Sequence, residues 1–374
     1  MIKKLFQLMF CSILCGNFAQ AQKAGNDQLF LLAGSYSNGT TSGISVYDFN
    51  IQTGDYKFLS DIKQIVNPSY LVVSPDEKMV YSVNETQEGA VSAFRFDKNK
   101  GVLSFVNSQP VNSASPCYIN IDKGQNFIVT ANYGGGSISG FSLDKDGSIK
   151  QNSGWTKAIG TTGDGPRSRQ HTAVFSPDET SLLVTDLGID CIRFYTVKTD
   201  ANDGLFLDGP KKSIDLEKGS GPRHLAFHPN GNYLYCINEL SGKVAVFSYK
   251  DNNLESIQYI ASDTTTTSGK KGSADIHLTS DGRFLYSSNR LKADGIAIFS
   301  VNPENGMLTR IGYQSTGIHP RNFIITPNDK FILCANSNSN NIQVFEIDPN
   351  TGLLSDTGKV INLDKPVCLK WIRK

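Results

Sequence analysis

The chain has 374 residues, 39% of them apolar, and a net charge of +1. So small a charge gives no long-range field to draw it to nucleic acid or an anionic membrane, and neither is expected as a partner. The length admits one large domain or two smaller ones, and the residue pattern has to decide between them.

Lys3 and Lys4 open the chain, ahead of an apolar run from Leu5 to Cys15 that is too short to cross a bilayer. Ala19-Gln20-Ala21 then presents the small-x-small pattern of a cleavage site. Residues 1–21 read as a signal peptide cleaved after Ala21, which makes the mature chain, 22–374, periplasmic or secreted. No later stretch is apolar for long enough to span a membrane. Of the seven cysteines, Cys117, Cys191, Cys236, Cys334 and Cys368 lie beyond the leader. Five is an odd number with no C-x-x-C pair, so no disulfide framework is expected.

After the leader, "LFLLAGSY" from Leu29 and "GISVYDF" from Gly43 read as strands. Six similar segments follow: "NPSYLVVSPDEKMVYSVNE" from Asn67, "SPCYINIDKGQNFIVTANY" from Ser115, "RQHTAVFSPDETSLLVTD" from Arg169, "GPRHLAFHPNGNYLYCINE" from Gly221, "GSADIHLTSDGRFLYSSNR" from Gly272 and "HPRNFIITPNDKFILCAN" from His319. Their turn residues, Pro75, Lys123, Pro177, Pro229, Ser280 and Pro327, are spaced 48, 54, 52, 51 and 47 apart. That period belongs to propeller blades. Each unit holds two apolar strands around a Pro-Asp/Asn-Gly-type turn, then an alternating strand such as "VAVFSY" from Val244, then a fourth. The closing "KPVCLKWI" from Lys365 matches a first strand with no blade of its own. Pairing it with Leu29–Tyr36 completes a seventh blade and removes the open edges of the ring. The expectation is one all-β, seven-bladed β-propeller, its split blade closed by N- and C-terminal strands, with Val367, Leu369 and Trp371 burying together on one face.

In a propeller the starts of first strands and the ends of second strands meet at one mouth of the central channel. His171, Arg223 and Arg321 fall at equivalent first-strand starts, with His224 and Asp275 one position further on. Second strands end at Asn84-Glu85, Asn132-Tyr133, Asp186, Asn238-Glu239, Asn289-Arg290 and Asn336, and the preceding loops add Arg167, Arg169, Lys270 and Lys271. A cationic cluster in a near-neutral protein points to an anionic ligand. Most of the asparagines serve turns. His228 sits at a bottom turn and reads as structural, while His277 lies inside a first strand beside Asp275. No Walker or Rossmann motif is present, so no cofactor is expected, and no ring of acidic residues suggests a metal.

"GSGPRHLAFHPNGNYLYCINELSGKVAVF" resembles the signature repeat of the seven-bladed propeller lactonases of the 6-phosphogluconolactonase type, a group that includes fungal carboxymuconate cycloisomerase. "SADIHLTSDGRFLYSSNR", "HPRNFIITPND" and "HTAVFSPD" are similar to its other blades. The resemblance implies a lactone hydrolase with His171, Arg223 and Glu239 as catalytic residues, and Arg290 or Arg321 completing the site. His224, Asn132 and Asp275 join Arg290 and Arg321 as candidate substrate-binding residues. Ester hydrolysis needs a base for water and positive charge at the carbonyl oxygen. His171 or Glu239 suits the first role and Arg223 the second. The expected partner is a small anionic lactone, and the expected state a monomer or weak dimer. Cycloisomerisation, or a non-catalytic binding module with an apolar top face, are the alternatives. Neither Arg223 nor Glu239 is expected to matter much for stability.

Overall fold

The computed structural model describes residues 27–151, 153–158, 167–200, 204–265 and 271–374. The leader and its cleavage site, and Lys270, lie outside them. Among the described residues there is no helix.

Among the described residues, twenty-eight strands form seven antiparallel sheets of four. The innermost strands are Leu71–Val73, Pro116–Ile121, Gln170–Phe175, Pro222–Phe227, Ser273–Leu278 and Pro320–Ile325 in blades 2 to 7. Blade 1 is the split one: Pro366–Arg373 pairs antiparallel with Gln28–Ser35, and Ile44–Asn50 and Tyr56–Ile62 lie outside them. The sequence-based blade count and seam are thus as expected.

Apolar residues alternate along each strand, so each sheet offers an oily face to both neighbours. The core lies between blades. Tyr235, Ile237, Val244 and Val246 of blade 5, for example, pack on Leu285, Ala297 and Phe299 of blade 6. Burying a side chain of this size contributes roughly 1.5–3 kcal/mol. Buried tyrosine hydroxyls then pin one blade to the next at a repeated place: Tyr81 donates to Gly147 O, Tyr235 to Gly306 O and Tyr286 to Gly352 O, at 2.7, 2.9 and 2.8 Å. The five cysteines are buried and unpaired.

The bottom turns share a residue at positive φ: Glu77, Gln125, Glu179, Gly231, Gly282 and Asp329. Only Gly231 and Gly282 adopt that conformation without a side-chain penalty.

Outer strand pairs slip register partway along, as at Val246/Phe247 and Ile298/Phe299, whereas innermost pairs slip at the top. In blades 3, 4, 5 and 7 the innermost strand carries one extra residue against its partner there, respectively Cys117, His171, Arg223 and Arg321. In blade 1 the extra residue is Val367, and in blade 6 the slip falls at Ala274–Asp275. This bulge overturns the expected alternation of the last strand. Leu369 and Trp371 pack on the blade 7 side and Cys368 and Ile372 on the blade 2 side, while Val367 is displaced out of phase.

Candidate active site

A β-bulge turns its extra side chain away from the regular pleat. Repeated around the ring, it aims His171, Arg223 and Arg321 into the top mouth. A second ring comes from the residue that follows each second strand. Tyr36, Glu85, Tyr133, Leu187, Glu239, Arg290 and Ser337 occupy this slot, each donating its backbone N–H to the same place in its blade: Lys365, Asn67, Ser115, Arg169, Gly221, Gly272 and His319 O. The two rings interlock.

Arg223 is 1% exposed and donates from Nε to Glu239 Oε2 at 2.9 Å. The same oxygen lies 3.0 Å from Arg290 Nη2. Burial pushes the Glu239 carboxyl up, but Arg290, Arg223 and Arg321 outweigh it and hold the group below its ordinary range. Arg290 also donates from Nε to Gly272 O at 2.7 Å, and its Nη1 lies 3.4 Å from His319 Nε2. From blade 7, Arg321 lies 3.6 Å from Glu85 Oε2 and 5.3 Å over the Tyr36 ring, and Tyr36 donates its O–H to Glu85 at 3.1 Å.

His171 is 4% exposed and edge-on to Tyr133 and His224, with ring centroids 5.8 and 5.2 Å away. Its Nδ1 is buried with no hydrogen-bond partner among the described residues. Burial, then Arg223, His224, Arg321 and Arg290, push its pKa well below the ordinary histidine value, so the ring is neutral. A neutral imidazole among guanidiniums is a base set beside cations, the pairing that acyl transfer requires. Among the described residues no group of three His, Cys, Asp or Glu is placed to hold a metal.

A sequence model described as "Lactonase, 7-bladed beta-propeller" matches residues 30–371. The chain belongs to this family. It is 41% identical over 324 residues to a 6-phosphogluconolactonase of Formosa agariphila, covering 84% of this chain and 90% of that one. A 6-phosphogluconolactonase of Bacillus subtilis is 35% identical over 356 residues, covering 91% and 97%. The solved structure of the Pseudomonas aeruginosa periplasmic gluconolactonase matches with a TM-score of 0.86 at 30% identity, covering 92% of this chain and 99% of that one.

In this lactonase the fold brings His171, Arg223, Glu239, Arg290 and Arg321 to one mouth. Other sequence-based assignments change. Asn132 is fully buried and turned into its own blade, donating to Ser137 and Ser139 and accepting from Thr130, so it is not available to a ligand. Arg290 has all three nitrogens engaged and acts as the brace of Glu239. His224 and Asp275 sit one layer below the bulge ring, with Tyr70 and Tyr118, and form the floor rather than the wall. Lys271 bonds Thr265 at 2.7 Å and lies 3.5 Å from Asp263, and Arg167 donates to Gly134 O. His228 serves its bottom turn as expected, bonding Asn230 N and Gly282 O. Glu85 and Tyr133 were placed at the mouth from sequence but given no role, and Tyr36 and His319 were not placed there. The signal was there for three of them, since Tyr36, Glu85 and Tyr133 share the slot of Glu239.

Proposed function

We propose that this lactonase opens the ring ester of a sugar-acid lactone, with His171 as general base. His171 takes a proton from water, the water oxygen bonds to the carbonyl carbon, and the carbonyl oxygen becomes an oxyanion. Arg223 faces that charge, because its Nη2 has no partner among the described residues while Nε and Nη1 are held. The ring C–O bond then breaks and the proton on His171 passes to the departing ring oxygen, giving a hydroxy acid. Glu239 is a poor base, since two guanidiniums share one of its oxygens. Its part is to fix both.

The observation that carries this reading is the neutral ring of His171, set at the bulge position among Arg223, Arg290 and Arg321. Relatives named for hydrolysis of phosphogluconolactone and gluconolactone support it. An anionic tail on the substrate fits Arg321, whose Nε and Nη1 take no partner among the described residues. The site is composed within one chain, so a monomer or a weak dimer could carry it. The charged start, short apolar run and Ala19-Gln20-Ala21 support export of the mature chain. In a secreted preparation the first residue should then be Gln22.

Purified mature protein should release protons from glucono- or 6-phosphogluconolactone faster than buffer does, and His171→Asn should lower kcat by about 10²–10⁴. No acceleration with any sugar-acid lactone, or an unchanged His171→Asn, would overturn the assignment.

A further inference from the structure

The floor beneath the mouth contains a hydrogen-bonded chain that neither the family assignment nor the hydrolytic mechanism uses. His224 is buried, enclosed by the rings of Tyr70, Tyr118 and His171 at 5.7, 5.5 and 5.2 Å. Its Nε2 lies 3.3 Å from Arg223 Nη1, and its Nδ1 lies 2.7 Å from Asp275 Oδ1. A guanidinium has only donors to offer. His224 Nε2 must therefore accept, which places the single ring proton on Nδ1, facing the carboxylate.

Asp275 is itself tied down. Its Oδ1 also accepts from Ile276 N at 3.0 Å. Its Oδ2 accepts from Asn322 Nδ2, from Phe323 N at 3.3 Å and from His277 Nε2 at 3.0 Å. Asn322 in turn accepts from Leu369 N, the strand that closes the ring, at 2.7 Å. The carboxylate is thus a fixed acceptor belonging to blades 5, 6 and 7 at once. On its far side a chamber of about 290 Å³, lined by His277, Tyr70 and Tyr118, occupies the lower channel.

We propose that His224 and Asp275 are positioning residues for Arg223: Asp275 fixes the His224 tautomer, His224 Nε2 holds Arg223 Nη1, and Nη2 is thereby left facing the carbonyl oxygen. This rests on the lactone-hydrolase reading. Glu239 at Nε and Ala274 O at Nη1 hold two edges of the guanidinium. Without the acceptor at Nε2 the plane can swing about the remaining bonds, and the donor aimed at the oxyanion loses its direction. The role explains why a histidine and an aspartate sit one layer beneath the bulge ring, the histidine bonded to Arg223 and to the aspartate. It also explains the choice of a neutral ring, because a protonated His224 would turn a second N–H against Arg223. Burial and Arg223 hold its pKa down at about 4, against the pull of Asp275.

The test pairs two substitutions at one position. His224→Phe keeps a ring in the Tyr70–Tyr118–His171 packing and removes the acceptor, whereas His224→Gln restores an acceptor where Nε2 stood. An interaction made mainly in the transition state shows in kcat and not in KM. His224→Phe should therefore lower kcat roughly 10–100-fold with KM nearly constant, and His224→Gln should recover most of the loss. A His224→Phe enzyme with wild-type kcat, or Gln and Phe variants equally impaired, would overturn the proposal. Nitrogen-15 NMR of the wild-type histidines gives a readout that needs no turnover. It should show His224 protonated at Nδ1 at neutral pH and Asp275→Asn should shift that signal, whereas a wild-type Nε2–H tautomer would refute the positioning role. If the wild type turns over no lactone, the functional reading falls while the NMR result still decides the arrangement.

Discussion

Glu239→Ala is the substitution for which the structure and the sequence disagree most. Sequence position alone treats Glu239 as a mouth residue whose loss spares the fold. In the structure its Oε2 receives Arg223 Nε at 2.9 Å and Arg290 Nη2 at 3.0 Å, with both guanidiniums almost wholly buried. Truncation removes two charge-assisted bonds, worth about 1.5–3 kcal/mol each, and leaves two cations facing one another. The sum, about 3–6 kcal/mol, agrees with the ~3–5 kcal/mol typical of a broken buried pair. Glu239 is 23% exposed, so water and buffer anions can refill part of the gap and the lower end of that range applies. For a domain of more than ~200 residues each kcal/mol moves Tm by about 2 °C, which gives a fall of roughly 6 °C. Activity should fall with it by about 10²–10³, because Arg223 loses its anchor. Thermal scans with and without sulfate, beside proton-release assays, measure both, and sulfate should return part of the stability. A Glu239→Ala protein that melts with the wild type, or turns over at its rate, would refute the bracing role.

Three further outcomes follow from the same geometry. Burial and neighbouring arginines hold His224 and His319 at about 4 and push His171 well below the ordinary histidine value, so all three fold neutral, whereas the unfolded chain takes up protons near 6.5. Stability should be full above that value and fall towards pH ~4 by up to about 1.4 kcal/mol per pH unit for each histidine; urea melts that stay level across the window would contradict it. Deleting residues 365–374 removes the buried Val367, Cys368, Leu369 and Ile372 and exposes strand edges, a loss of about 6–12 kcal/mol at ~1.5–3 per side chain. A soluble truncation with near-normal Tm would rule out closure by that strand. Exhaustive chelation should leave lactone hydrolysis intact, and loss of activity with rescue by Ca²⁺ would show that the mouth has been misread.

The blades were legible because their signals are local and repeated. Two apolar strands around a turn of the Pro-Asp/Asn-Gly type appear six times, with Pro itself in four of them, and the unpaired "KPVCLKWI" shows where the ring closes. His171, Arg223 and Arg321 were legible as a set because they fall at equivalent strand starts. What could not be read was the bulge that aims them, since an extra residue in one strand leaves no mark in a pattern of apolar alternation. The same bulge shifted Val367 out of phase with Leu369 and Trp371. Asn132 misled for a related reason. It has the slot of Asn238 and Asn289, and the slot identifies a top-face position without saying which way the amide turns. Its partners Ser137 and Ser139 lie on the neighbouring strand, and only tertiary structure shows them spending its donors.

The two rings of the mouth also explain how one repeating fold carries chemistry at only part of its circumference. Every blade supplies the position after its second strand and five supply a one-residue bulge, yet the occupants differ in size. On blades 4, 5 and 7 the bulge holds His171, Arg223 and Arg321, whereas on blades 1 and 3 it holds Val367 and Cys117. The occupants of the bulge position therefore differ in size and polarity from blade to blade. The apolar contacts that hold the ring together lie between the sheets, away from both positions. Residues at the mouth are therefore free to change without disturbing the packing, provided that any charge placed there keeps a partner as Glu239 keeps Arg223 and Arg290. That condition couples function back to stability at this one place, and it is why the floor beneath Arg223 is built from His224 and Asp275 instead of from the aliphatic residues that fill the blades.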